Sequence, residues 1–268
     1  MGAGVLRRPV TRVAGRSRER VDDAVAVERA LEIRVDGRTV SVTLRTPGHD
    51  DELALGFLAA EGLIARRADV LGTTVRAAEC ADQPDAVEVV LAPGVRFDWT
   101  RLERHFAATA ACGLCGRAHL DALRTGLTPI PAGAALDPEA LSALPGRLRE
   151  AQATFLATGG LHAAAWCDAA LEPRVLREDV GRHNAVDKVA GRLVEEDAYP
   201  VTGGVLWVSG RAGAEIVLKA ARARIPVLAA VGAPSSLAIE LAEAAAMTLI
   251  GFLREGRMNV YCGEARLS

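Results

Sequence analysis

Cys112 and Cys115 stand two residues apart in the run Ala111-Cys112-Gly113-Leu114-Cys115-Gly116, with His105 before them and His119 after. Such spacing brings two sulfurs within reach of one another. A loop that runs into a helix N-terminus keeps one of them nucleophilic, because the free amides there stabilise a thiolate. Residues 117–123 are expected to form that helix, which makes Cys112, the more N-terminal thiol, the nucleophile and Cys115 the helper or resolving partner. The glycine after each thiol removes bulk and lets the backbone approach a ligand or partner. Three readings stay open on these residues alone: small buried residues of a core, a zinc site built from His105-x6-Cys112-x2-Cys115-x3-His119, or thiol chemistry. The last covers dithiol and disulfide exchange as well as sulfur carried as a persulfide. One knuckle without a second Cys-x-x-Cys is an incomplete zinc signature, so no metal is expected.

Downstream, several turns carry polar groups suited to receiving a ligand. Gly159-Gly160-Leu161-His162 sets a histidine beside a double glycine at a helix-to-strand turn. Gly-Gly alone reads equally well as a helix stop, but nothing in the apolar strand that follows calls for an imidazole. The densest polar run is 177–188, which includes Asp179, Arg182, His183 and Asn184. Solvated helix starts carry such charges too, yet here acidic, basic, imidazole and amide groups crowd the turn between an apolar strand and an apolar helix, as a binding site requires. Carboxylates there would accept from the N–H groups of a guanine base, and Arg182 would meet a phosphate. Ser209-Gly210-Arg211 follows a strand and opens a helix, an anion-accepting turn with free amides and one guanidinium. It lacks the Gly-Lys-Ser/Thr of a P-loop, so ATP hydrolysis is not implied. Ala233-Pro234-Ser235-Ser236 repeats the theme, with one of the serines as a plain helix N-cap the simpler reading. The final turn, Phe252-Leu253-Arg254-Glu255-Gly256-Arg257, reads by itself as a basic hairpin.

The elements that must position these groups follow from periodicity. Residues 31–44 alternate apolar and polar around Val35-Asp36-Gly37-Arg38, a hairpin signature. Asp50 is expected to cap a helix that ends near Glu61-Gly62, and two short β runs at 70–76 and 86–91 complete a small α+β layer. Gly126, Pro129, Pro131 and Gly133 imply a mobile connection. Beyond Asp137-Pro138, a helix over 139–157 interrupted at Pro145-Gly146 precedes strands at 161–167 and 174–180. Helix 184–194, strand 205–209, helix 213–223, strand 226–231, helix 236–246 and strands 248–251 and 258–261 complete the series. That alternation predicts a three-layer α/β/α sandwich with a mostly parallel sheet and one antiparallel hairpin. Ligands in such folds sit where strand ends meet helix N-termini. The expected division is a flexible basic arm over 1–24, an α+β domain over 25–126 that ends in the Cys-x-x-Cys loop, and an α/β domain over 127–268.

Composition narrows the partners. Half of the 268 residues are hydrophobic and the formal net charge is −2, so the chain has core enough and no overall basic field for nucleic acid. Five scattered cysteines do not make a secreted disulfide framework, and a reducing cytoplasm fits them. Arg7-Arg8 is not followed by the apolar run of an export signal. No segment reaches the ~20 unbroken apolar residues of a membrane span, since Glu240 and Glu243 interrupt the Ala-rich stretch at 237–253.

Taken in order, the motifs resemble the FdhD/NarQ family of formate dehydrogenase accessory sulfurtransferases. The resemblance rests on Thr46-Pro47-Gly48 with residues 51–58 and Glu61-Gly62, on Cys112-Gly-Leu-Cys115-Gly116, on Thr158-Gly159-Gly160-Leu161-His162 and on residues 178–185. It continues through Ser209-Gly210-Arg211, residues 233–238 and residues 256–261. It implies a cytidine deaminase-like fold for the larger domain, although the chain has no His-x-Glu with Pro-Cys-x-x-Cys and deamination is not expected. It also implies a protein that takes persulfide sulfur from a cysteine desulfurase and delivers it to the bis-guanine-dinucleotide molybdenum (or tungsten) cofactor before insertion into formate dehydrogenase. In that family the first thiol of the motif, here Cys112, holds the sulfur, and a segment matching Phe252 to Arg257 contacts the cofactor. The cofactor is a client, not a permanent group, and a homodimer would suit its two arms. The other reading is a non-catalytic cofactor-binding chaperone whose thiols are redox-active or hold zinc.

Overall fold

The computed structural model describes residues 4–80, 82–95, 97–99 and 127–268. Cys112, Cys115, His105 and His119, with the helix expected at 117–123, lie outside the described residues. The described elements are β1 (Val5–Ala14), β2 (Ser17–Ala26), β3 (Arg29–Val35), β4 (Arg38–Arg45), α1 (Asp50–Ala60), β5 (Val70–Arg76), β6 (Asp85–Leu91), α2 (Pro138–Glu150) and α3 (Ala153–Thr158). They continue with β7 (His162–Cys167), β8 (Pro173–Asp179), α4 (Arg182–Glu195), β9 (Val205–Val208), α5 (Ala214–Arg222), β10 (Val227–Ala230), α6 (Ser236–Ala244), β11 (Thr248–Arg254) and β12 (Arg257–Cys262).

A four-stranded sheet in the order β4-β3-β6-β5 carries α1 on one face. Its inward residues Leu31, Ile33, Val35, Val87 and Val89 alternate with less buried ones, among them Glu32, Arg34, Glu88 and Val90, the period-two pattern of a half-buried sheet. The second sheet runs β12-β11-β10-β9-β7-β8. Successive residues of its central strands point to opposite faces. Leu206, Val208, Leu228 and Ala230 share a core with α4, α5 and α6, whereas Val205, Trp207, Val227 and Ala229 pack against Leu141, Leu144 and Leu148 of α2. The three-layer expectation therefore holds. The expectation of a mostly parallel sheet does not, because only β9–β10 and β10–β11 are parallel, while β7–β8, β7–β9 and β11–β12 are antiparallel. The turn after Cys167 makes β7–β8 a hairpin, and α4 then carries the chain past β7 to β9. Apolar periodicity marks a strand but not its direction.

Three further expectations give way. The arm expected over 1–24 is, where it is described, a regular ribbon: β1 and β2 pair along their whole length, from Val5 opposite Ala26 to Ala14 opposite Ser17. Charges hid the pattern, yet Arg8 faces Asp23 and Arg12 faces Glu19, and such opposite-charge rungs favour pairing. The helix expected to break at Pro145-Gly146 runs through them and stops at Glu150, with Asp137 capping it by accepting from the amides of Glu139 and Ala140. The residues expected as a mobile connection are fastened where they are described. The Arg266 guanidinium donates to the carbonyls of Ile130, Pro131 and Ala132, and the Ile130 amide donates to Ala245 at 2.9 Å.

Candidate functional site

The polar run at 177–188 divides in two, and the division follows the backbone. Asp179 ends β8 with no exposure at all, and its carboxylate accepts from the amides of Gly181 (2.8 Å) and Thr46 (3.1 Å) and from Asn184 Nδ2 (3.0 Å). Lys188 Nζ, one turn further along α4, lies 2.7 Å from the same carboxylate and donates to the Thr46 carbonyl at 2.8 Å. Asn184 also donates to the Leu44 carbonyl at 2.8 Å. Two buried charges are tolerated because each lone pair and proton has a partner. Asp179 and Asn184 thus spend their polar atoms on joining the end of β4 to the start of α4.

The same seam holds α1 against α4. Gly56 and Gly191 meet at the crossing, where a Cβ on either would stand 1.7 Å from the carbonyl oxygen of Asp187 or Glu52. Glycine inside a helix costs roughly 1 kcal/mol against alanine, and here it admits backbone-to-backbone contact that no side chain would allow. Around the crossing, the Arg177 guanidinium grips both carboxylate oxygens of Glu52, and Lys219 Nζ meets both of Asp187 at 2.7 and 2.9 Å. Burial alone would raise Glu52, but the Arg177 pair, with His49 adding, holds it below the usual carboxylate range. Asp50 does not cap α1 as expected. Its carboxylate takes the Arg45 guanidinium at 2.9 and 2.7 Å, and His49 occupies the cap position. Glu178 caps instead the first turn of α3, accepting from the amides of Thr154 and Phe155.

Arg182 and His183 point the other way, toward the carboxyl ends of the parallel strands. There the chain comes together from five places. A Cβ on Gly210 would lie 3.4 Å from His162 Nδ1 and 3.9 Å from Arg182 Cδ, so the glycine, the imidazole and the guanidinium stem share one patch. Ser209 Oγ accepts from the Ala163 amide at 2.9 Å, which ties the Ser209-Gly210-Arg211 turn to β7. The Gly232 amide donates to the Gly210 carbonyl at 2.8 Å, and the Phe252 amide donates to the Gly232 carbonyl at 3.1 Å, so the turns after β9 and β10 line up beside the irregular stretch of β11 between Gly251 and Arg254. Burial, with the charge of Arg182 and of His183 adding to it, pushes the His162 imidazole below its ordinary value. It is neutral at pH 7 and offers one donor and one acceptor. Arg211 is exposed, and His183 Nε2 lies 2.9 Å from Glu215 Oε2.

The remaining candidates divide further. Gly159 is the helix stop, left-handed at φ 67°, and Gly160 follows it exposed beside His162. Ser235 is the N-cap of α6, accepting from the Ala238 amide at 3.2 Å. Within 252–257, Phe252 is exposed at a left-handed φ of 52°, whereas Leu253 is fully buried on the α2 face. Arg254 donates to the Val231 carbonyl at 2.6 Å, and Glu255, Gly256 and Arg257 form the exposed tip, where the Gly256 amide donates to Ser142 of α2. Sequence reasoning missed Glu215, which no local pattern pairs with His183, and Gly232. Gly232's position straight after a strand was the available signal, since the Gly210 carbonyl leaves no room there for a Cβ. Among the described residues no group of three or more His, Cys, Asp or Glu is placed to hold a metal.

The mixed six-stranded sheet between two helical layers, with an imidazole, a guanidinium and the turns after β9 and β10 gathered at its carboxyl edge, makes this a three-layer protein of the α/β class. Residues 26–268 match the model of the FdhD/NarQ family, and the chain belongs to that family. It is 46% identical over 278 residues to the sulfur carrier protein FdhD of Streptomyces avermitilis, covering 100% of this chain and 97% of that one. It is 48% identical over 254 residues to that of Mycobacterium tuberculosis, with 92% of each chain covered. A crystal structure from Desulfotalea psychrophila, described as a formate dehydrogenase accessory protein, superposes with a TM-score of 0.77 at 22% identity, covering 98% of this chain and 99% of that one, and shows the same fold.

Proposed function

We propose that this protein carries sulfur for the maturation of formate dehydrogenase, with Cys112 as the persulfide-bearing thiol and the carboxyl edge as the seat of the molybdenum cofactor. The observation that carries the binding half is the convergence of His162, Gly210 and Arg182 at one end of the sheet. Guanosine diphosphate arms need amides and guanidinium groups for their phosphates and a neutral donor–acceptor for the base edge. Arg182, Arg211 and the Ser209–Arg211 turn serve the first need, and His162 the second. Phe252 offers a ring for stacking, and Arg254 and Arg257 border the same rim. The sulfur half rests on the family match over the stretch that includes Cys112. In the loading step the Cys112 thiolate attacks the outer sulfur of a cysteine desulfurase persulfide, the donor S–S bond breaks, and the donor cysteine leaves as thiolate, with no net oxidation. Cys115 is the helper or resolving thiol. A cytoplasmic setting and a homodimer, one edge for each cofactor arm, complete the reading.

The test is to incubate the protein with a desulfurase and cysteine, map the added mass, and measure GDP binding separately. Sulfur on Cys112 and GDP affinity lost in Arg182→Ala are the expected results. No sulfur at Cys112, or undiminished formate dehydrogenase activation by Cys112→Ala, overturns the carrier role. Stoichiometric zinc that disappears in Cys115→Ala would replace it with a structural site.

A further inference from the structure

The family match begins at residue 26, so all but the last residue of the β1–β2 ribbon lies before it. Two ten-residue strands at ~3.3 Å per residue make a projection of roughly 33 Å. Its root is fixed beside the carboxyl edge. The Val27 amide donates to the Gly4 carbonyl at 2.9 Å, both strands pack on α3, and a Cβ on Gly160 would lie 3.5 Å from that of Ala26. Its outer half is solvent-facing, since every residue from 11 to 20 is exposed and, among the described residues, the element packed on the ribbon is α3. An isolated two-stranded ribbon is marginal in water, and a surface that completes it would stabilise it.

Its chemistry says which kind of surface. The outer half carries Arg12, Arg16, Arg18 and Arg20 against Glu19 alone, in a chain whose formal net charge is −2. One face also bears the apolar rungs Leu6 opposite Val25 and Val10 opposite Val21, separated by the mixed-charge rung Arg8 opposite Asp23, and Val13 is 59% exposed on the other. Nucleic acid fits this poorly. Asp22, Asp23 and Glu19 would repel a phosphate backbone, and residues 4–26 hold no aromatic ring for base stacking. Charges that merely blocked edge-to-edge strand pairing could be of either sign. Guanidinium groups interleaved with small apolar side chains match a carboxylate-rich protein surface.

We propose that the β1–β2 ribbon is a docking arm that lays its arginine-bearing outer half on an acidic face of the enzyme receiving the cofactor. The choice of that partner rests on the reading of the carboxyl edge as the cofactor seat, because the arm is rooted there and reaches outward from it. The measurement is the affinity of the full-length protein for purified cofactor-free formate dehydrogenase, at low and at physiological ionic strength. The variants are Arg16→Glu/Arg18→Glu/Arg20→Glu and the milder Arg16→Gln/Arg18→Gln/Arg20→Gln, which leave the Arg12–Glu19 rung in place. Charge reversal is expected to weaken binding about tenfold or more and to flatten its salt dependence, with neutralisation intermediate. GDP binding should be unchanged in both. Equal affinity of wild type and both variants for the enzyme overturns the proposal. So does the absence of a wild-type complex, or a loss confined to double-stranded DNA or anionic vesicles. A failure of the cofactor-seat reading shows separately, as wild-type protein that binds the enzyme but not GDP.

Discussion

The seam between the two sheets and the carboxyl edge of the larger one are built from the same residue types, and they differ in where the polar atoms end. At the seam, Asp179, Asn184, Lys188, Glu52 and Arg177 are satisfied by one another and by backbone. At the edge, three residues along the same helix start, Arg182 and His183 face outward beside Gly210 and Glu215. Buried polar networks specify an arrangement, and a half-satisfied one is costly. A site for a charged client needs the reverse, groups held in place by packing with donors left over, although His183 there is already paired with Glu215.

That contrast breaks most visibly at the glycine crossing. Gly191→Val would drive a side chain into the Glu52 carbonyl, and the expected loss is about 4 kcal/mol or more, read as an absent or strongly shifted urea transition. Lys188→Met leaves the Asp179 carboxylate buried without its cation, for an expected cost of about 3–5 kcal/mol. Adding Asp179→Asn to that variant should restore part of the urea midpoint, whereas an unshifted Lys188→Met would mean the pair is not needed. Edge substitutions should do the opposite. Arg182→Ala and Arg211→Ala are expected to move stability by no more than about 0.5 kcal/mol while weakening GDP binding about tenfold by calorimetry. An equal loss of stability would assign these arginines to the scaffold.

The smallest effects lie in pH, and they separate the regions by sign. The folded His162 binds its proton more weakly than the unfolded chain does. Stability attributable to it is therefore present above the ordinary histidine value of about 6.5 and falls as the pH drops below it. Glu52 is held below the usual carboxylate range, so its contribution is present above about 4.3 and is lost as pH falls toward its lower folded value. Urea midpoints across this range should show the upper shoulder removed by His162→Gln and the lower decline flattened by Glu52→Gln. Thiol labelling gives a simple companion: Cys167, pushed up to about 12 by burial, should resist a thiol reagent that modifies exposed Cys80 at pH 8.

Much of the scaffold was legible because burial imposes a period. The hairpin β3–β4, α1 and the strands of the large sheet fall close to where alternating or helical apolar spacing set them. The ribbon β1–β2 was not legible, because it has little core to impose a period and its regularity lies in opposite charges facing across strands. The edge was legible as a set of turns rich in glycine and serine, two of them with an arginine shortly after a strand, Arg182 and Arg211. The seam was misread as part of it, since Asp179 and Asn184 are chemically indistinguishable from ligand-binding residues until Thr46, Leu44 and Lys188 are placed around them.

The sequence by itself determined the order of the elements from β3 onward, the three layers and the family, because those follow from local periodicity and from short motifs that need no distant partner. Only the tertiary structure decided which polar residues are spent and which remain free, which strands run antiparallel, and that an arginine ribbon projects beside the edge. Each of those depends on contacts between residues more than a hundred positions apart or on the path of a connection. Thr46 against Asp179 is the clearest case, a hydrogen bond across 133 residues that turns a candidate ligand group into a structural one.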